Sequence, residues 1–429
     1  MAQESKLLQL TDINKRMRDL ETLLDVSKAL TVEHDFDRLL DLIIRETVRV
    51  MEADRGTLFT IDEPTGDLVS KIAQKSEVKE IRVASGKGIA GYVAATKEVV
   101  NIKDAYADSR FNKEVDRQTG YRTNSILCAP LLTHEDKVIG VVQVLNKRDG
   151  GVFSKYDESL LLALGSHAAV ALNNARLVKH YVEKQMIQQS LQIAQAIQRR
   201  LLPRAFPALP GWEVKGWTQP ADETGGDYFD TIIVPSGKLV IVIGDVSGHG
   251  VGPSLIMATT RAFLRSLCQT YHDPDEVLFR LNNLLVDDMD SGSFVTLFLG
   301  ILDTASGEFT YTSAGHDPPF LYQRATGAFL ELDSTGLPLG LLEDTEFPKA
   351  TTPALRPGDL LLCMTDGVWE AMNSDNESYG RDRLRERTRA GLGHGADDLM
   401  KSIYEDVKAY CGPVTQRDDI TMLVVKALG

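Results

Sequence analysis

Residues 240–250 read VIVIGDVSGHG, an apolar run that stops abruptly on Asp245, with glycines at 244, 248 and 250 around it. The run has the buried-type side chains and the length of a core strand. Packing alone gives no reason to seat a carboxylate at its mouth or to strip the side chains from the backbone beside it. Two other stretches repeat the pattern. LLLCMTDGVWE (360–370) carries an apolar strand into Asp366 and a glycine, and QRDDITMLVV (416–425) opens one from Asp418 and Asp419. GGDYFD (225–230) adds Asp227 and Asp230 beside a glycine pair.

Carboxylates at such strand ends are expected to converge on one edge of a buried sheet. Crowded carboxylates repel, and each is driven toward protonation unless a cation is present. An all-oxygen set suits hard divalent cations such as Mg2+ or Mn2+, whereas zinc favours His or Cys. The flanking glycines let backbone carbonyls and metal-bound waters come close.

The totals fit an enzyme-sized soluble chain. Its 429 residues have room for two or three domains, and a composition of 43% hydrophobic and 25% charged residues is ordinary for globular proteins. A net charge of −14, from 47 basic and 61 acidic residues, argues against nucleic acid and anionic membranes as partners. No apolar run approaches membrane-spanning length, and the polar start MAQESK has no signal-peptide character. The four cysteines, 128, 268, 363 and 411, are scattered and form no CxxC pair, as expected for reduced thiols in a cytoplasmic protein.

Along the chain the fold class reads as α+β and multidomain. Residues 1–20 read as an N-terminal coiled-coil helix, on a heptad seam within residues 4–30 at Leu10, Ile13, Met17, Leu20 and Leu24; a helix packed on its own domain would show the same spacing. Residues 21–178 read as a helix, then short strands (GTLFTID, DLVSKIA, KEIRVA, ILCAPLL, VIGVVQVLN), an irregular stretch at 101–124 and a closing helix. That order gives an antiparallel sheet covered by helices. Residues 179–203 read as a helical linker with a seam at Ile187, Leu191, Ala194, Ile197 and Leu201, ended by the prolines of LLPRAFPALPG. It is either a signal transmitter between domains or a passive spacer. Residues 204–429 form the last domain, with helices near 251–269, 274–289 and 396–410.

GGDYFD, GDVSGHG, SAGHDPP, GLPLG, RPGD, TDGVWE and RDDIT occur in the order seen in RsbU/SpoIIE-type serine phosphatases, and the chain resembles that branch of the metal-dependent type 2C protein phosphatases over 190–429. IAQAIQRRLLP (193–203) resembles the segment preceding that catalytic domain. The resemblance implies an α-β-β-α sandwich with two Mn2+ or Mg2+ ions at one edge. It implies that Asp227 and Asp245 hold one ion, and that Asp245, Asp366 and Asp418 hold the other, with the Val246 carbonyl contributing. These carboxylates would be catalytic through a metal-activated water. Val246 stands where many type 2C enzymes have glycine, which a carbonyl ligand does not need. No arginine matching the phosphate-binding arginine of many relatives stands before the first aspartate. His249 and His316 read either as general acids or as loop-structural residues.

NKRDGGVFSKYDE (146–158) fits the pattern N-K-x5-F-x3-D-E, and RFNKEVDRQTGYRTNSILCAP (110–130) lies upstream. Both resemble the GAF domains of cyclic-nucleotide phosphodiesterases and adenylyl cyclases. By that resemblance Asp116, Thr119, Thr123 and Gln143 face a cyclic nucleotide, while Lys147 and Asp157 read as a structural ion pair. A GAF domain that only dimerises, or that binds something else, is the other reading.

Two functions follow from the whole. One is a GAF-regulated serine/threonine protein phosphatase acting on a phosphorylated STAS-domain protein in bacterial partner switching, as a homodimer with no nucleic-acid or membrane partner. The other is a catalytically silent sandwich serving as a ligand-regulated binding module.

Overall fold

The structure, a computed structural model, describes residues 2–33, 35–62, 64–72, 81–290 and 292–428, with backbone alone for 2–13, 15, 71, 72, 115, 118 and 119. The chain divides into two compact units, Met1–Met186 and Ile187–Gly429.

In the first unit, α1 (Ala2–Val32) and α2 (Phe36–Val50) precede β1 (Ala53–Ile61), β2 (Leu68–Ile72) and β3 (Ile81–Val83). Then come α3 (Gly88–Thr96), β4 (Val100–Ile102), α4 (Lys113–Thr119), β5 (Ile126–Leu132), β6 (Val138–Lys147) and α5 (Lys155–Leu201). The strands form one antiparallel sheet in the order β3-β2-β1-β6-β5-β4. Alternate residues of the central strands feed two cores. Leu58, Leu127, Ala129, Val142 and Val144 meet α2 and the start of α5, while Phe59, Ile126, Cys128 and Val141 meet α3. Burial on both sides explains why β5 is apolar at every position.

The linker expected at 179–203 is the continuation of α5, and the division between units falls within that helix. Helical spacing persists there while the apolar face that packs on the first sheet ends, which is why the sequence suggests a break near 178. Pro203 stops the helix two residues past its end.

The second unit holds β7 (Trp212–Gln219), β8 (Tyr228–Ile233), β9 (Leu239–Val246), α6 (Val251–Thr270), α7 (Pro274–Val286), β10 (Val295–Leu302) and β11 (Phe309–Ala314). It continues with β12 (Phe320–Gln323), β13 (Ala328–Glu331), β14 (Ala350–Thr351), β15 (Leu360–Met364), α8 (Arg381–Gly391), α9 (Ala396–Cys411) and β16 (Ile420–Ala427). Two five-stranded antiparallel sheets result, β14-β11-β10-β9-β8 and β13-β12-β15-β16-β7. Leu239, Ile241 and Ile243 of β9 face Leu361, Cys363, Leu423 and Val425 across the sandwich. Val240 and Val242 point the other way, onto α6 and α7, and Leu360, Leu362, Met422 and Val424 point onto α8 and α9. The expected α-β-β-α layering is therefore present, and the unbroken apolar runs are strands sandwiched between a sheet and a helix layer.

Candidate active site

The registers gather the strand ends. Tyr228 pairs with Gly244, so the start of β8 lies beside the end of β9, and Asp227 comes next to Asp245. In the other sheet Met364 pairs with Met422, which sets Asp366, just after β15, against Asp418 and Asp419, just before β16. Thr365 ties the two sheets together. Its hydroxyl donates to Asp227 Oδ2 at 2.8 Å and accepts from the Thr421 amide at 3.1 Å.

Asp227, Asp245, Asp366 and Asp418 act on one another as electrostatic neighbours. Burial, then Asp245 and Asp419, push the Asp227 carboxyl well above its usual range. Burial with Asp366, Asp418 and Asp419 pushes Asp245 up to about 8. Burial with Asp418, Glu370 and Asp317 pushes Asp366 up to about 6, and burial also raises Asp418. Among the described residues no three carboxylate, imidazole or thiol groups are gathered as a finished ligand shell. The donors nonetheless fit hard divalent cations: they are all oxygen, and a cation beside them would offset the burial and mutual repulsion that raise each carboxyl. Gly226 keeps the approach to the Val246 carbonyl clear, because a Cβ there would stand 2.7 Å from that oxygen. At Gly367 a Cβ would overlap the Asp419 carbonyl, so the turn after Asp366 also requires glycine.

Asp419, absent from the ligand set implied by the sequence, has a different task. Its Oδ1 accepts from the Ala221 amide at 2.8 Å and its Oδ2 from the Asp227 amide at 3.3 Å, pinning the loop that presents Asp227. The RDD pair signals both residues without distinguishing ligand from support. Asp230 stands apart, fully buried and paired with the Arg265 guanidinium at 2.6 and 2.7 Å. Gln198, buried near the end of α5, was not singled out from the sequence. Its amide donates to the Gly225 carbonyl at 2.5 Å and accepts from the Gly225 amide at 3.1 Å, two residues before Asp227.

His316 is buried with Nδ1 2.9 Å from the Thr296 hydroxyl, and burial pulls its ring down to about 4. A neutral ring of that kind is no proton donor at neutral pH. His249 is exposed and pairs with Asp222 at 2.9 Å. Burial pushes the thiols of Cys128, Cys268 and Cys363 up, so none is a thiolate nucleophile.

In the first unit Asp116, Thr123 and Gln143 line one cavity of about 390 Å3, together with Arg55, Lys87 and Arg110. The Asp116 carboxylate is already engaged, accepting from the Thr123 amide and hydroxyl at 2.7 Å each and from the Tyr106 hydroxyl at 3.1 Å. The side chain of Thr119 lies outside the described residues. Asn146, at φ 51° where asparagine is tolerated, accepts from the Asn124 and Ser125 amides and donates to the Arg122 carbonyl. It thereby fixes the loop that closes the cavity. Lys147 and Asp157 form the expected buried pair at 2.9 and 2.8 Å.

Residues 235–428 match the family described as stage II sporulation protein E (SpoIIE), and residues 35–172 match the GAF domain. Phosphoserine phosphatase RsbU of Bacillus subtilis (strain 168) is 28% identical over 243 residues, covering 57% of this chain and 71% of that protein. Dual 3',5'-cyclic-AMP and -GMP phosphodiesterase 11 of Drosophila melanogaster is 37% identical over 179 residues, which is 38% of this chain and 12% of the relative. The SiaA-PP2C domain of Pseudomonas aeruginosa superposes with a TM-score of 0.51 at 21% identity, over 57% of this chain and 98% of that one, and so shares the fold. Residues 35–172 thus carry a GAF domain and residues 235–428 a SpoIIE-type domain.

Proposed function

We propose that this protein is a cytoplasmic, GAF-regulated, Mn2+- or Mg2+-dependent phosphatase that removes phosphate from serine or threonine of a small STAS-domain protein in bacterial partner switching. The observation that carries the reading is the convergence of Asp227, Asp245, Asp366 and Asp418 from both sheets on one edge of the sandwich, each with its carboxyl raised. These four side chains and the Val246 carbonyl would hold two divalent cations. Such a pair acidifies a bound water and neutralises phosphoryl oxygens. Asp419 and Thr365 hold Asp227 in place, and no protein nucleophile is required. Among the described residues no helix is long and apolar enough to cross a membrane.

For the GAF domain we assign a cyclic nucleotide to the 390 Å3 cavity, a size suited to a small organic ligand. The basic side chains at its wall suit a phosphate, and Gln143 suits a base edge. A homodimer would cover apolar residues now exposed on α1 (Met17, Leu20, Leu24) and α5 (Ile187, Ile197); the side chains of Leu10 and Ile13 lie outside the described residues. The test is phosphate release from phosphorylated STAS-domain proteins with and without Mn2+, and with and without cyclic AMP or cyclic GMP. The reading expects Mn2+-dependent release that a cyclic nucleotide alters. Binding of the phosphoprotein without release, at any metal concentration, would instead identify a silent binding module.

A further inference from the structure

A phosphoserine carries nearly two negative charges, and four ligand carboxylates already balance two divalent ions. Something cationic must therefore meet the phosphate as it enters, yet the rim around Asp366 is acidic, with Glu370 and Asp317 as its neighbours. Two basic side chains at the rim are committed elsewhere. Arg381 donates to Asp317 at 2.7 Å and to Glu331 at 3.0 Å, and His249 pairs with Asp222. Arg417 differs. It is exposed and adjoins Asp418, and its guanidinium reaches the Met372 sulfur at 3.8 Å with no carboxylate partner among the described residues.

Arg417 and Asp418 also form one wall of a groove of about 280 Å3. Its floor is apolar, built from Met372, Tyr404, Val407 and Ile420, and Lys408 adds a second cation at its edge. An apolar trough opening directly onto a candidate ligand carboxylate, with an arginine at the junction, matches the chemistry of a peptide bearing a phosphoserine next to an apolar side chain. We propose that Arg417 binds the substrate phosphate and that this groove seats an apolar residue flanking the phosphoserine of the protein substrate. The assignment rests on the phosphatase reading above, and it supplies the phosphate-binding group for which the sequence offers no counterpart.

The test uses the full chain with Mn2+ and two substrates, p-nitrophenyl phosphate and a phosphoserine peptide with leucine near the phosphoserine. Arg417→Ala should raise KM for both by about tenfold or more, the worth of one or two charge-assisted hydrogen bonds, and weaken inhibition by inorganic phosphate equally. Arg417→Lys should recover part of the loss. Mn2+ affinity by calorimetry should not move, which separates phosphate binding from damage to the metal edge. Thr415→Trp, at the groove wall, should lower kcat/KM for the peptide by a larger factor than for the small ester. If wild type turns over and the Arg417 variants keep their KM and phosphate inhibition, the arginine assignment is wrong. Equal effects of Thr415→Trp on both substrates would remove the groove. A wild-type protein inert with Mn2+ would overturn the phosphatase reading itself, and this assignment with it.

Discussion

Replacing Asp245 by asparagine removes one negative charge from a crowded edge where Asp366, Asp418 and Asp419 already oppose it. A carboxyl raised to about 8 in the folded state contributes stability that is complete below roughly pH 4 and lost as pH climbs through 8. In EDTA above pH 8, Asp245→Asn should therefore melt higher than wild type, by roughly a few degrees. Saturating Mn2+ should reverse the order, since the variant has lost a ligand. Calorimetry in the two buffers checks both signs. The buried Lys147–Asp157 pair behaves oppositely. Burial alone would raise Asp157, but the Lys147 ammonium and the Ser154 amide and hydroxyl hold it below the usual carboxylate range. That stability is present above about pH 4 and is lost as acid titrates the folded carboxylate. Lys147→Ala should cost about 3 kcal/mol by stranding the charge, read as a lower melting transition of the GAF domain. Both the carboxylate edge and the Lys147–Asp157 pair were visible in the sequence as motifs. Asp419 was visible only as the second half of a doublet, because ligand and support are separated by side-chain direction, which spacing does not encode.

Among the elements, β9, β10, β15 and β16 are legible because a strand covered on both faces must be apolar at nearly every position. α8 is not. Its sequence RDRLRERTRAG buries only Leu384, Thr388 and Gly391, and its arginines are satisfied by partners distant in sequence, such as Glu331 and Asp317 or the rings of Tyr410 and Phe329. Nor does periodicity disclose α3 or α4, each short enough that its caps and neighbours decide its form. In the sequence α5 reads as two segments because its apolar face ends before the helix does. The last turns of that helix matter for function through Gln198. Gln198→Ala would leave both polar groups of Gly225 unpaired, at a cost of about 2 kcal/mol, and loosen the loop that presents Asp227. The expected outcome is a several-fold rise in the Mn2+ concentration needed for half-maximal rate, measured by metal titration. An unchanged titration would make the clasp a packing detail.

For the molecule as a whole, regulation requires that occupancy of the GAF cavity alter the carboxylate edge, and a helix shared by both units is the covalent connection between them. Two packed arrangements of paired α5 helices, differing by a few kcal/mol, would suffice for a ligand to bias the outcome. Charge substitutions at Leu191 and Ile197 together should break the proposed dimer or change the basal rate. A double variant that scatters light as a dimer, with unchanged activity and regulation, would make the helix a spacer. The sequence shows the exposed seam as helical spacing but cannot show what covers it, because a self-association face and a packed face use the same residues.

The central claim is that the carboxylate edge binds metal and hydrolyses phosphoester. The most direct measurement is the initial rate of phosphate release from a phosphoserine peptide by wild type and by Asp366→Ala across a Mn2+ titration, with circular dichroism confirming that both are folded. The account predicts saturable, Mn2+-dependent release by wild type and a rate at least about a hundredfold lower for the variant at every Mn2+ concentration. Near-normal turnover by folded Asp366→Ala at saturating Mn2+ would contradict it.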